Sequence, residues 1–172
     1  MDRDDPSEHV FIVPRATSRS PCDDRGVTPP THAPAGCTCP FCAFLEGTHD
    51  EHNLPTDVVA VTERAYARIA PKWWRGNPGA VLVIPRTHVE NIYDLSPSDS
   101  AAVWDLTQRV AIGIRSSYAC EGTSIRQHNE PAGGQDVWHL HVHVFPRHPD
   151  DTHSPSTSIA KEYPTPVTAR SC

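Results

Sequence analysis

The chain has 172 residues, a formal net charge of −6, 11 histidines and six cysteines, a length suited to one domain with tails and a single modest core. The acidic balance supplies no basic footprint, which argues against nucleic-acid polymers and acidic membrane surfaces as partners while leaving small anions open to local donors. No run of about 18 apolar residues exists, and the start MDRDDPSEHV is acidic, so a soluble, cytoplasmic protein is expected.

In chain order, residues 1–36 are rich in Pro, Ser, Thr and charge without a sustained period and read as a flexible segment, apart from a short apolar piece at His9–Val13. Phe41–Leu45 reads as a short helical turn closed by Gly47. Val58–Val61, Tyr66–Ile69 and Val81–Ile84 read as strands, the last bounded by Asn77-Pro78-Gly79 and by Pro85. Ser96 with Asp99 forms a capping box and Pro97 takes the first helical position. Val103, Leu106, Val110 and Ile114 then recur at helical spacing, with Gly122 marking the end region. Thr123–His128 and Val137–Phe145 read as two strands joined by Pro131-Ala132-Gly133-Gly134, a hairpin. From His148 onward the composition is again Ser/Thr/Pro-rich, which confines the ordered domain to 37–147 and leaves 148–172 as a loose tail. The predicted fold class is α+β, an antiparallel sheet of about five strands with one long helix and a short N-terminal helix.

The segment WHLHVHVFPR places His139, His141 and His143 on alternate positions, with Leu140, Val142 and Val144 between them. On a strand the three imidazoles share one face and the apolar residues pack on the helix behind, so the histidines are expected to line a surface. Three arrangements fit this pattern. The three can be polar residues on an exposed strand face. They can be metal ligands, although the outer two stand roughly 13 Å apart on a strand, so no single ion of Zn–N bond length about 2.0–2.1 Å is held by all three. Or they can divide labour, His141 acting as nucleophile with its neighbours in supporting tasks, for which a neutral imidazole is suited.

Just upstream, Asn129-Glu130-Pro131-Ala132-Gly133-Gly134-Gln135-Asp136 carries paired glycines that let a backbone approach an anion with exposed N–H groups. An ordinary hairpin turn uses the same residues. Cysteines crowd at Cys37, Cys39 and Cys42. Cys39-Pro40-Phe41-Cys42 supplies half of a tetrahedral zinc site, a redox dithiol, or two inert cysteines; no thioredoxin-like βαβ pattern surrounds it.

The run HLHVHVF matches His-φ-His-φ-His-φ-φ, with φ apolar, at every position and resembles the signature of the histidine triad (HIT) family. VLVIPRTHVENIYDL, the cap and helix from Ser96, and HNEPAGGQDVWHLHVHVFPR extend that resemblance over most of the core. It implies a nucleotide-binding phosphohydrolase of the nucleoside phosphoramidate or dinucleoside polyphosphate type, active as a homodimer. In that chemistry His141 attacks the α-phosphorus and water hydrolyses the nucleotidyl-histidine, with His139 and His143 completing the catalytic set. Transfer to another acceptor, or binding with little turnover, are the alternative outcomes. Asn129, Gly134 and Gln135 match positions whose counterparts contact phosphate, and Asp136 stands where a serine is common. Two departures touch the substrate. Ala80 replaces a histidine found in many relatives, and Lys72, Trp73, Trp74 and Arg75 replace a stretch that supplies an acidic residue to ribose. Trp73 and Trp74 are suited to base stacking or to ordinary packing. The resemblance to zinc-containing bacterial-type members further implies a structural zinc ion held by Cys39, Cys42, His88 and His139, with Cys37 as a spare thiol.

Overall fold

The computed structural model describes residues 31–50, 53–71, 79–149 and 151. By compactness the chain divides into Met1–Pro30, which lies outside the described residues, and Thr31–Cys172. The apolar piece His9–Val13, the Lys72–Arg75 stretch, the Asn77-Pro78 turn and nearly all of the C-terminal tail also lie outside the described residues.

Five strands among the described residues form one antiparallel sheet. They are β1 (Val58–Val61), β2 (Ala65–Ile69), β3 (Val81–Pro85), β4 (Gly122–Gln127) and β5 (Val142–Arg147), in the order β1-β2-β3-β5-β4. The helices are α1 (Pro40–Leu45) and α2 (Pro97–Ser117). α2 begins where its cap dictates, the Ser96 hydroxyl accepting from the Asp99 N–H at 3.1 Å and donating to the Asp99 carboxylate at 2.7 Å. Arg64 at the β1–β2 turn reaches the same carboxylate at 3.1 Å, which ties the sheet to the first turn of the helix.

Strand alternation sorts the core into two layers. Ala65, Ala67, Val81, Val83, Val142 and Val144 face α2 and pack on Val103, Leu106, Val110 and Ile114. Tyr66, Leu82, Ile84 and Phe145 face the other way and meet Phe41 and Phe44 of α1. Covered on both sides, β3 is buried along its whole length and reads as an unbroken apolar run. No helix among the described residues is long and apolar enough to cross a membrane.

The structure revises three expectations. α2 ends at Ser117, because Ala119 takes a left-handed φ of 47°, and Gly122 opens β4 instead of closing the helix. β4 and β5 do pair as antiparallel neighbours, but the connection is the long segment 128–141, with a 3₁₀ turn at Pro131–Gly133, and no tight hairpin. β5 starts at Val142, later than the predicted Val137. Its pairing with β3 and β4 stops there, and the Leu140 N–H bonds the Val89 carbonyl at 2.7 Å outside the sheet. His139 and His141 therefore stand just before the strand, and only His143 sits in it.

Gly79 enters β3 with φ +98°, and a Cβ there would lie 2.4 Å from the Tyr118 ring that follows α2. Both the left-handed backbone and the ring exclude a side chain. Gly79→Ala is expected to lose about 1–3 kcal/mol of stability, measured as a fall of several degrees in Tm; an unchanged Tm would contradict this packing.

Candidate functional site

The rings of the histidine segment form a row. His88 and His139 pack edge to face at 4.8 Å between centroids, and the Phe41 ring stands against both His139 (5.7 Å) and His141 (5.3 Å). His141 meets His143 at 4.8 Å, and His143 stacks on Phe145 at 5.5 Å. α1 thus packs one phenyl ring against the first two histidines of the triad. The expectation that the histidines line an open surface is corrected here: His139 is 0% and His141 4% exposed, because Phe41 and the loop ahead of β5 enclose them.

Burial decides the charge state. It holds the His141 imidazole below its ordinary pKa, against the opposing effects of its bond to the His139 carbonyl and of the Asp136 charge. Burial, then His141, His128 and Arg126, push His143 down to about 3. Each ring is neutral at physiological pH. The hydrogen bonds then fix the tautomers. A carbonyl has no proton to give, so the 2.8 Å contact between His141 Nδ1 and the His139 carbonyl puts the proton on Nδ1 and the lone pair on Nε2. By the same reasoning His139 donates from Nε2 to the Pro85 carbonyl at 3.0 Å and presents its Nδ1 lone pair to the cysteines.

The glycine loop uses its donors internally. The N–H groups of Gly133 and Gln135 bond the Glu130 carbonyl at 3.1 Å, and that of Gly134 bonds the Pro131 carbonyl at 3.0 Å. These amides are not the exposed donors that the sequence suggests, because the 3₁₀ turn closes on itself. Gln135 is buried, accepting from the Glu130 N–H at 2.7 Å and donating to the carbonyls of Glu90 (2.6 Å) and Val137 (3.0 Å). Asn129 accepts from the Ile92 N–H at 2.9 Å and exchanges bonds with Gln127. Gly134 holds a φ of +82° that favours glycine, and Asp136 is exposed beside the row. Trp73 and Trp74 lie outside the described residues.

Cys39, Cys42, His88 and His139 bring one donor atom each to a common point, all within 4.8 Å of one another. His139 Nδ1 lies 3.3 Å from Cys39 Sγ and 3.6 Å from Cys42 Sγ, and His88 Nδ1 lies 3.4 Å from Cys42 Sγ. A tetrahedral zinc ion with Zn–S of about 2.3 Å and Zn–N of about 2.0 Å separates N from S by about 3.5 Å, so the donor set fits. Its electrostatics fit as well. Burial, then the neighbouring Cys39, push the Cys42 thiol up to about 12, while burial and His88 hold His139 down to about 4. The Cys42 thiol so placed ionises only against a positive charge, a condition that a bound dication meets. The Pro85 carbonyl behind His139 orients the ring as an outer partner does at metal-bound histidines. Cys37, read as a spare thiol, is disulfide-bonded and stands outside this group.

Two further residues join the site. His128 packs edge to face on His143 at 5.9 Å and donates from Nδ1 to the Gly133 carbonyl at 2.7 Å. Arg126 lies opposite His143 in the β4–β5 register, its guanidinium 5.9 Å from the Phe145 centroid. The signal is present in the alternation Ser124, Arg126, His128, but only the strand register shows that this face meets His143.

Comparison with known proteins bears on the same region. A family model described as HIT domain matches residues 51–150. Protein hit of Bacillus subtilis is 28% identical over 149 residues, covering 72% of this chain and 92% of that protein. A bis(5'-adenosyl)-triphosphatase of Saccharomyces cerevisiae is 35% identical over 72 residues, which span 41% of this chain and 35% of that protein. The crystal structure of a zinc-bound histidine triad family protein from Mycobacterium smegmatis superimposes with a TM-score of 0.58 at 29% identity, over 68% of this chain and 80% of that one.

Protein purified without added metal is expected to carry about one equivalent of zinc per chain. Cys39→Ser and Cys42→Ser are each expected to lose the metal and to lower Tm, and strong chelators should do the same to the parent. Metal-free protein that melts at the parent temperature would contradict a structural ion.

Proposed function

Because the chain belongs to the HIT domain family, we propose that it is a nucleotide-binding phosphohydrolase that works through a covalent nucleotidyl-histidine at His141. The observation that carries this reading is the 2.8 Å bond from His141 Nδ1 to the His139 carbonyl, which leaves Nε2 as the nitrogen with a lone pair. Phosphoryl chemistry needs such a nucleophile neutral and oriented before the substrate arrives. In the first step an Nε2–P bond forms at the α-phosphorus as the bond to the leaving oxygen or nitrogen breaks, its electron pair departing with the leaving group. In the second, water attacks the same phosphorus, the Nε2–P bond breaks, and the nucleoside monophosphate is released with the imidazole restored.

The neighbours take supporting parts. His143, neutral and ring to ring with His141, donates a hydrogen bond to the phosphoryl oxygens as charge builds there. His139 positions His141 through its carbonyl. Asn129, Gly134 and Gln135 hold the loop that walls the phosphate, and Asp136 acts on the charge of His141 from the rim. Substrates in this reading are nucleoside phosphoramidates or dinucleoside polyphosphates, a class supported by the similarity to a bis(5'-adenosyl)-triphosphatase. The first step is common to hydrolysis and to nucleotidyl transfer; water is the acceptor proposed here. The zinc site, filled by four protein ligands, has a structural part, anchoring α1 and so Phe41 against the histidine row. A homodimer and a cytoplasmic location belong to the same proposal.

His141→Ala is expected to lose at least about 10³-fold in kcat on adenosine phosphoramidate or a diadenosine polyphosphate while still binding adenosine monophosphate. His143→Ala should lose less. Equal product release from the parent and His141→Ala would refute the nucleophile, and nucleotide binding without turnover by either would make the protein a binding module.

A further inference from the structure

Resting on the nucleotide reading above, we propose that Arg126, on the β4 side of His143, forms a second anion subsite that holds the departing phosphates. This makes a nucleoside polyphosphate the preferred substrate class over a phosphoramidate.

The strand register places the groups. Arg126 is paired with His143 across β4 and β5, so the two side chains leave the same face of neighbouring strands about 4.8 Å apart. The His143 ring is itself 4.8 Å from the His141 ring. A phosphate chain whose α-phosphorus meets His141 Nε2 and extends past His143 runs toward β4. There it meets the Arg126 guanidinium over Phe145.

The chemistry of the surroundings selects an anion. The amides of the glycine loop are turned onto its own carbonyls, so charged and imidazole side chains supply the recognition. Arg147, on the same face of β5, is ion-paired with Asp151 at 3.0 Å. Burial and the like charge of Arg147 hold Arg126 below its ordinary value, a setting that an anion relieves. When a phosphoanhydride is cleaved, the Nε2–P bond forms, the bridging P–O bond breaks, and the electron pair stays on the oxygen of the departing phosphate. A planar guanidinium offsets that charge as it forms and binds phosphate in two-pronged fashion. A phosphoramidate releases an amine, for which the same cation does nothing useful.

The test is calorimetric binding of AMP and ATP, without magnesium, to the His141→Ala protein, in which turnover cannot consume the ligand. ATP is expected to bind about tenfold or more tightly than AMP, as charged hydrogen bonds to added phosphates would give. Adding Arg126→Gln should reduce that preference to about twofold, while Arg126→Lys, which keeps the charge, should retain part of it. Equal affinities for AMP and ATP, or a preference that survives Arg126→Gln, would overturn the subsite. The two readings fail separately. Turnover by His141→Ala removes the nucleophile while an Arg126-dependent ATP preference still stands; binding without that preference removes only the subsite; and no binding of either nucleotide removes both.

Discussion

His139 joins three parts of the molecule through three bonds, and the geometry of the site follows from them. Its Nε2–H is given to the Pro85 carbonyl at the end of β3, and its Nδ1 faces the two cysteines around α1. Its own carbonyl receives the Nδ1–H of His141. The last bond decides which nitrogen of the His141 ring carries the lone pair, and the first two hold its acceptor in place. A fully buried imidazole with every polar atom engaged costs little, whereas removing one partner would leave a buried polar group without water to turn to. The residue that looks like one of three equivalent histidines is thus the support of His141.

A division of labour along one short segment follows. In the proposed chemistry His139 serves structure and the Cys/His cluster, His141 presents the nucleophile, and His143 faces Arg126 on β4. Phe41 packs edge to face on both of the first two rings, one in the Cys/His cluster and the other the proposed nucleophile. The chain carries a net charge of −6, yet the face beyond His143 carries the Arg126 guanidinium. On the proposed reading, a local anion site on an acidic protein admits a small phosphate compound and gives a nucleic-acid polymer little to hold.

Much of this is legible in the amino-acid sequence. Ser96, Asp99 and Pro97 announce the start of α2, and its apolar spacing identifies the residues that meet the sheet. The strands β1, β2 and β3 lie within a residue of their predicted bounds, and the family resemblance adds His88 and His139 to the Cys39-Pro40-Phe41-Cys42 pair as the cluster that the fold assembles. What stays hidden depends on long-range partners. The late start of β5 comes from a bond between Leu140 and Val89, and the helix stop at Ala119 uses a left-handed residue that is not glycine. The inward turn of the loop amides follows from the 3₁₀ turn at Pro131. Arg126 and His128 are ordinary strand residues until register sets them across from His143.

In the proposed chemistry Nε2 of His141 is the atom that takes the phosphorus, and a rapidly quenched reaction reads that atom directly. Protein labelled with ¹⁵N at histidine, mixed with substrate and quenched in alkali, is expected to show a ³¹P–¹⁵N coupling at Nε2 of His141 and at no other ring nitrogen. Phosphorus on Nδ1, on a different histidine, or on none while product accumulates at the steady rate would contradict it.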